Sequence, residues 1–280
     1  MGQFSELWLY CKETFGIVKR RPFLFVPRLV FMGLLLSSVF FVGGIAFVRL
    51  LPGRWMNVFP LGILVIGFLV GNLVVEGGQI NLYKKAALGY TVGMDDFGEG
   101  VRKFVGRVFI GGLMLLLLIA LMSFLMVGFV TIPLLGVLAG IALVIAIFAV
   151  NVLLSAWKAA LAFKDIGVMD AFSDSWRFVR EFFWPMALVV FVKGLFDGNN
   201  NNNSGSNQGN NFNINGINVN LNIPGLNMFG LNQGFSFGVR SAMALIALIP
   251  FVVAAAIISI AATVYIEQLI FVIYARRESL

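Results

Sequence analysis

From Val108 to Val150 the chain runs 43 residues without a charge. As a single α-helix this stretch would be about 64 Å long at 1.5 Å per residue, twice the roughly 30 Å of a bilayer's hydrocarbon core. It must fold back on itself, and Thr131-Ile132-Pro133 is the expected turn. The rest of the chain follows suit. Hydrophobic residues make up 60% of its 280 positions and charged residues 12%, whereas a soluble domain carries about 25% charged residues. The expected fold is all-α and polytopic. Runs of about 20 apolar residues place six transmembrane helices near 24–51, 57–83, 107–131, 133–163, 182–197 and 238–275.

The formal charge of +7 comes from cations that are unevenly placed. Sixteen of the 20 Lys and Arg residues lie in or at the edges of one set of connections: flanking the start of the first expected span, around the second-to-third and fourth-to-fifth connections, or after the sixth. The opposite loops hold Arg49, Arg54, Lys193 and Arg240. Cations collect on cytoplasmic loops, so both termini are expected in the cytoplasm of a prokaryotic plasma membrane. The positive charge then reports topology, and no nucleic-acid partner is expected. The first apolar run, about Leu29 to Val48, is too long for a signal-peptide core and is expected to stay as a span.

One phrase recurs. Phe4-Ser5-Glu6-Leu7-Trp8 is matched by Phe172-Ser173-Asp174-Ser175-Trp176, and a fainter copy begins at Phe97, with Met94-Asp95-Asp96 before it echoing Met169-Asp170-Ala171. Each copy precedes two helices' worth of apolar sequence, so a single membrane domain built from three units, about 4–90, 91–165 and 166–280, is expected. Apolar residues in each copy recur at helical spacing with charges off that face. The phrase therefore predicts an amphipathic helix in the headgroup plane, its lipid contacts carried by Phe4, Trp8, Phe97, Phe172 and Trp176.

Aligning the second membrane helix of each unit without gaps places Asn72, Glu76 and Gln79 against Asn151, Ser155 and Lys158, and Asn72 and Glu76 against Thr263 and Glu267. These positions share one helical face. A charge in hydrocarbon costs at least ~2.5–3.5 kcal/mol on insertion scales and normally faces a bundle interior with a partner. The stripe is thus the candidate site, as an ion path or a headgroup pocket. Two functions fit it: a bundle conducting a small ion or solute, or a membrane scaffold that binds lipid and recruits partners through its interfacial helices and outer loop.

Catalysis is not expected. The chain has no histidine, which removes the commonest general base and metal ligand, and no phosphate-binding loop, dinucleotide fingerprint or nucleophile elbow. No cofactor or metal is expected. Its one cysteine excludes an intrachain disulfide.

Residues 198–236 depart from the short outer loops. After Asn199 to Asn203 and a Ser/Gly/Gln stretch, Phe212 to Ile223 alternates apolar residues with asparagine around Asn215-Gly216. That dipeptide predicts a type I′ β-hairpin. A lone hairpin is marginal in water, so its apolar face is expected to rest on the bundle, the bilayer or a neighbouring copy, the last of which would make the protein a homo-oligomer.

The segment Ala171-Phe172-Ser173-Asp174-Ser175-Trp176-Arg177-Phe178-Val179-Arg180-Glu181, with Trp184-Pro185 and the weaker Asp96-Phe97, resembles a broad family of six-span prokaryotic membrane proteins. That family includes the membrane domain ahead of the catalytic domain in some glycerophosphoryl diester phosphodiesterases. The resemblance implies a prokaryotic membrane module; the phosphodiesterase catalytic domain has no counterpart here.

Overall fold

A computed structural model describes residues 3–47, 54–130, 133–196, 211–214, 217–220 and 239–278, with side chains described within 3–38, 62–124, 138–195 and 253–278. The chain forms two compact units: Met1–Val190 with Val264–Leu280, and Phe191–Thr263. The boundaries fall within two helices, α8 (Phe183–Phe196) and α9 (Val239–Glu278).

The first unit opens with α1 (Gln3–Arg20), whose buried side is Leu7, Thr14 and Val18. Pro22 ends it. The ring of a proline excludes the preceding residue from the α region, and Arg21 accordingly sits at φ −130° and ψ 72°. After a single 3₁₀ turn (Pro22–Leu24), α2 (Val26–Phe47) leaves at 92° to α1. Then come α3 (Arg54–Ala87), α4 (Met94–Val130), α5 (Pro133–Leu153), α6 (Trp157–Lys164) and α7 (Val168–Glu181). Pro133 stands at the first position of α5, where its missing N–H costs nothing, and the expected turn at 131–132 lies outside the described residues.

Among the described residues, four helical stretches are long and apolar enough to cross a membrane: Gly62–Ala87, Met94–Phe124, Leu138–Lys164 and Val253–Glu278. The bent pair α1–α2 makes a fifth if it is counted as one span. The span expected at 182–197 is α8, which at 14 residues reaches only about 21 Å.

The second copy of the phrase differs from the expectation. It is not a separate interfacial helix but the opening turns of α4, which runs unbroken to Val130. No proline interrupts that stretch, whereas Pro22 follows the first copy and Pro185 the third. Phe97 accordingly packs against α3 at Gly78, where a side chain would strike its ring. A methyl at Gly100 would lie 2.7 Å from the Gly78 carbonyl oxygen. Small residues thus let α3 and α4 approach backbone to backbone.

α3 closes with Gly89 in the left-handed region, φ +93°. The Tyr90 N–H donates to the Lys85 carbonyl and the Gly89 N–H to that of Ala86, a Schellman cap.

In the second unit, β1 (Asn211–Ile214) and β2 (Ile217–Asn220) form an antiparallel ladder over the segment whose alternation predicts it. Its register pairs Asn with Asn and apolar with apolar residues. The turn, 215–216, lies outside the described residues. Along α9 in this unit, Val253, Ile257 and Ile258 are exposed, as lipid-facing residues are expected to be.

Candidate functional site

Of the expected polar stripe, the first unit brings together Glu76, Gln79, Lys158 and Glu267. The Lys158 ammonium lies 3.2 Å from the Glu76 carboxylate. Gln79, fully buried, accepts a hydrogen bond from Arg28 Nε at 2.7 Å through its Oε1, and its amide donates to the Leu24 carbonyl at 3.4 Å. Glu267 is 5% exposed, and its charge acts on Lys158 along with those of Glu76 and Arg28. Two cations and two carboxylates therefore share one interior, formally neutral as a group.

One member was not in the stripe as read from the sequence. Arg28 counts there among the cations flanking the first span, yet it points into the bundle. A signal was present, since Arg28 follows Pro27 in the first turn of an otherwise apolar helix. Tyr83, on the same helical face as Glu76 and Gln79, is 2% exposed, and its hydroxyl has no hydrogen-bond partner among the described residues.

The remaining stripe residues lie elsewhere. Asn72 and Asn151 are exposed, and the Asn151 amide donates back to the Ile147 carbonyl of its own helix. Ser155 donates to Val152 in the break between α5 and α6. Thr263 belongs to the second unit, where its hydroxyl donates to Ser259 at 2.9 Å. One helical face aligns these positions in sequence, but α5 stops at Leu153 and α6 restarts at Trp157, so Asn151 and Lys158 do not share a helix.

That break is held by the third copy of the phrase. Ser175 of α7, fully buried, donates through Oγ to the Leu153 carbonyl at 2.8 Å and accepts the Ala156 N–H at 3.2 Å. Its hydroxyl restores the two backbone bonds that the interruption leaves open. The equivalent positions of the other copies, Leu7 and Gly100, are buried too.

One residue earlier, each copy carries an acid. Glu99 meets Lys85 at the end of α3 at 2.8 Å, Asp174 meets Lys164 at the end of α6 at 2.7 Å, and Glu6 meets Arg277 at the end of α9 at 2.8 Å. Each acid contacts the helix end that precedes it in the chain, and the first copy takes the last. The C-terminal parts of α3, α6 and α9 also meet one another, Lys84 donating to the Ala162 carbonyl, Lys164 pairing with Glu278 and Gln268 donating to the Tyr83 carbonyl, which closes a ring at one end of the unit. Around it, Trp8 is 72% and Trp176 50% exposed. Phe4 is exposed likewise, while Phe172 turns inward onto Trp157 with ring centroids 5.2 Å apart.

Electrostatics favour the ionised form of Asp174 in this ring and of Asp165 at the end of α6. Burial works to raise the Asp174 carboxyl, but hydrogen bonds from Lys164 and Tyr274 and the charges of Lys164 and Arg177 outweigh it and hold the carboxyl below its ordinary value. Hydrogen bonds from Lys103 and Arg107 lower that of Asp165.

Between ring and cluster the interior is closed. Leu82, Leu161, Ile273 and Tyr274 are fully buried, with Phe163 stacked on Tyr274, Phe178 tilted against it and Phe271 tilted against Tyr83. Beyond the cluster, large apolar side chains are exposed among the described residues: Ile63, Val65, Ile66, Phe68, Leu69 and Val70 around α3, and several positions from Leu113 to Phe124 of α4 and from Leu138 to Phe148 of α5. Among the described residues no group of His, Cys, Asp and Glu is placed to hold a metal ion.

A family model described as a domain of unknown function, DUF7847, matches residues 11–198, well over half of the chain. No curated protein and no solved structure matches it.

Proposed function

The chain belongs to the DUF7847 family, a domain of unknown function, and we propose that it is a non-enzymatic membrane protein that holds a lipid or similar amphiphile. The supporting observation is the contrast along the first unit: a sealed end beneath a charge-balanced cluster, and exposed apolar helix segments beyond it, a surface that suits acyl chains. Arg28, Lys158, Glu76 and Glu267 offer both signs of charge, as a zwitterionic or anionic headgroup requires.

In the same reading the chain has six transmembrane helices in three repeated units. Both termini are in the cytoplasm of a prokaryotic plasma membrane. The bent α1–α2 pair supplies an interfacial helix and the first span, and α8 supplies the fifth. The outer ladder lies on the far side, where it pairs with neighbouring copies. Kinship with the phosphodiesterase membrane domain is part of this proposal and adds no chemistry.

Conduction of an ion or solute is the competing reading. It requires a continuous polar path, and the buried layer of Leu82, Leu161 and Ile273 counts against one. Native mass spectrometry of protein released from nanodiscs, paired with ion flux in proteoliposomes, separates the two. We expect a retained lipid that Glu76→Gln with Glu267→Gln releases, and no flux. Selective flux abolished by those substitutions, with no lipid retained, would overturn the proposal.

A further inference from the structure

A second site lies outside the ring, at the same end of the first unit. A groove of about 590 Å³ runs between α1, the end of α3 and the end of α9. Its charged lining is Lys12, Glu13, Arg20, Arg21 and Arg276, four cations against one carboxylate. Gly16, Ile17, Ala87, Leu88 and Ala275 make the rest of the wall small and aliphatic.

The cations are not equally engaged. Arg276 pairs with Glu13 at 2.5 Å. Arg21 donates to the carbonyls of Ala86 at 2.8 Å and Gly89 at 2.5 Å, at the negative end of the α3 dipole. Lys12 and Arg20 are exposed, and among the described residues neither makes a hydrogen bond or ion pair. Three positive charges thus converge on one groove with no carboxylate of their own. Like charges held together are unfavourable unless an anion joins them.

We propose that this groove binds the phosphate of an anionic phospholipid from the leaflet on the side of the two termini. Lys12 and Arg20 reach the phosphate, Arg21 shapes the rim, and the aliphatic wall takes the glycerol and upper acyl segment. A lipid is favoured over an acidic protein because Trp8, Phe15, Leu88 and Tyr90 stand exposed beside the groove, the residue types that settle at headgroup level. The site shares no residue with the Glu76–Lys158 cluster, so it stands or falls apart from it.

The test uses the full chain in phosphatidylcholine nanodiscs titrated with phosphatidylglycerol, with bound lipid counted by native mass spectrometry. One phosphatidylglycerol is expected per chain. At ~1 kcal/mol per cation near the surface, Lys12→Gln with Arg20→Gln weakens it about thirtyfold, and Arg20→Gln alone about fivefold. Arg102→Gln with Arg180→Gln removes two exposed cations that do not line the groove and leaves that lipid bound. Equal losses in both double variants would mean general leaflet attraction and overturn the proposal, as would no loss in the first. Displacement of the lipid by inorganic phosphate at matched concentration would assign the groove to a free phosphate compound instead. Capture of an acidic peptide in place of the lipid would assign it to a protein partner.

Discussion

The Lys158 ammonium of α6 reaches across to the Glu76 carboxylate of α3 at 3.2 Å. Both side chains are largely enclosed, 20% and 27% exposed. Removing one partner leaves the other charge poorly compensated.

Glu76→Gln is therefore expected to destabilise the protein by about 2–3 kcal/mol, the low side of what an uncompensated buried charge costs, because neither partner is fully buried. The exchanged pair Glu76→Lys with Lys158→Glu should recover part of that. Denaturation midpoints in detergent would check it; equal stability of the single variant and the native chain would contradict the pairing.

Ser175→Ala removes a hydroxyl that serves both the Leu153 carbonyl and the Ala156 N–H. Leaving two buried backbone groups unmet is expected to cost about 1–3 kcal/mol. Ser173→Ala, at an exposed position two residues earlier, should stay within about 0.5 kcal/mol of the native chain. The comparison isolates the healing of the α5–α6 break from the general loss of a serine.

Gly100→Ala places a methyl against the backbone of α3 and is expected to cost about 1–3 kcal/mol. Gly98→Ala meets nothing within 4 Å and should be neutral or stabilising by up to about 1 kcal/mol. Thermal denaturation of the two variants should order them so; a reversed order would mean that α3 and α4 do not meet there.

The Asp174 carboxyl is held below its unfolded value, about 3.9 for a free aspartate. Between the two values the unfolded chain binds the proton and the folded chain does not. The stabilisation is thus fully present above about pH 4 and is lost as pH falls through the lower folded value. Stability measured from pH 7 to 3 should drop at the acid end, and Asp174→Asn should flatten that drop. An unchanged acid limb would show that Asp174 is not its source.

The membrane character, the helical class and the amphipathic phrase were legible in the sequence because hydrophobic run length and helical periodicity are local properties. Pro133 likewise announced the start of a helix, since a proline's effect is confined to adjacent residues. Glu76, Lys158 and Glu267 could be singled out because a charge inside an apolar run is costly wherever it sits. Which charge answers which could not. Arg28 was hidden because its role depends on the 92° turn between α1 and α2 that carries it inward. Asn151 and Lys158 were separated by a helix break that exists only because Ser175, from another helix, stands ready to satisfy it. The ring of acids and bases shows the same division. Its residues were visible as repeats, but the pairing of Glu6 with Arg277 joins the two ends of the chain. Composition and periodicity determined what must enter the membrane; tertiary packing decided which buried polar groups meet, because their cost depends on partners that are far apart in sequence.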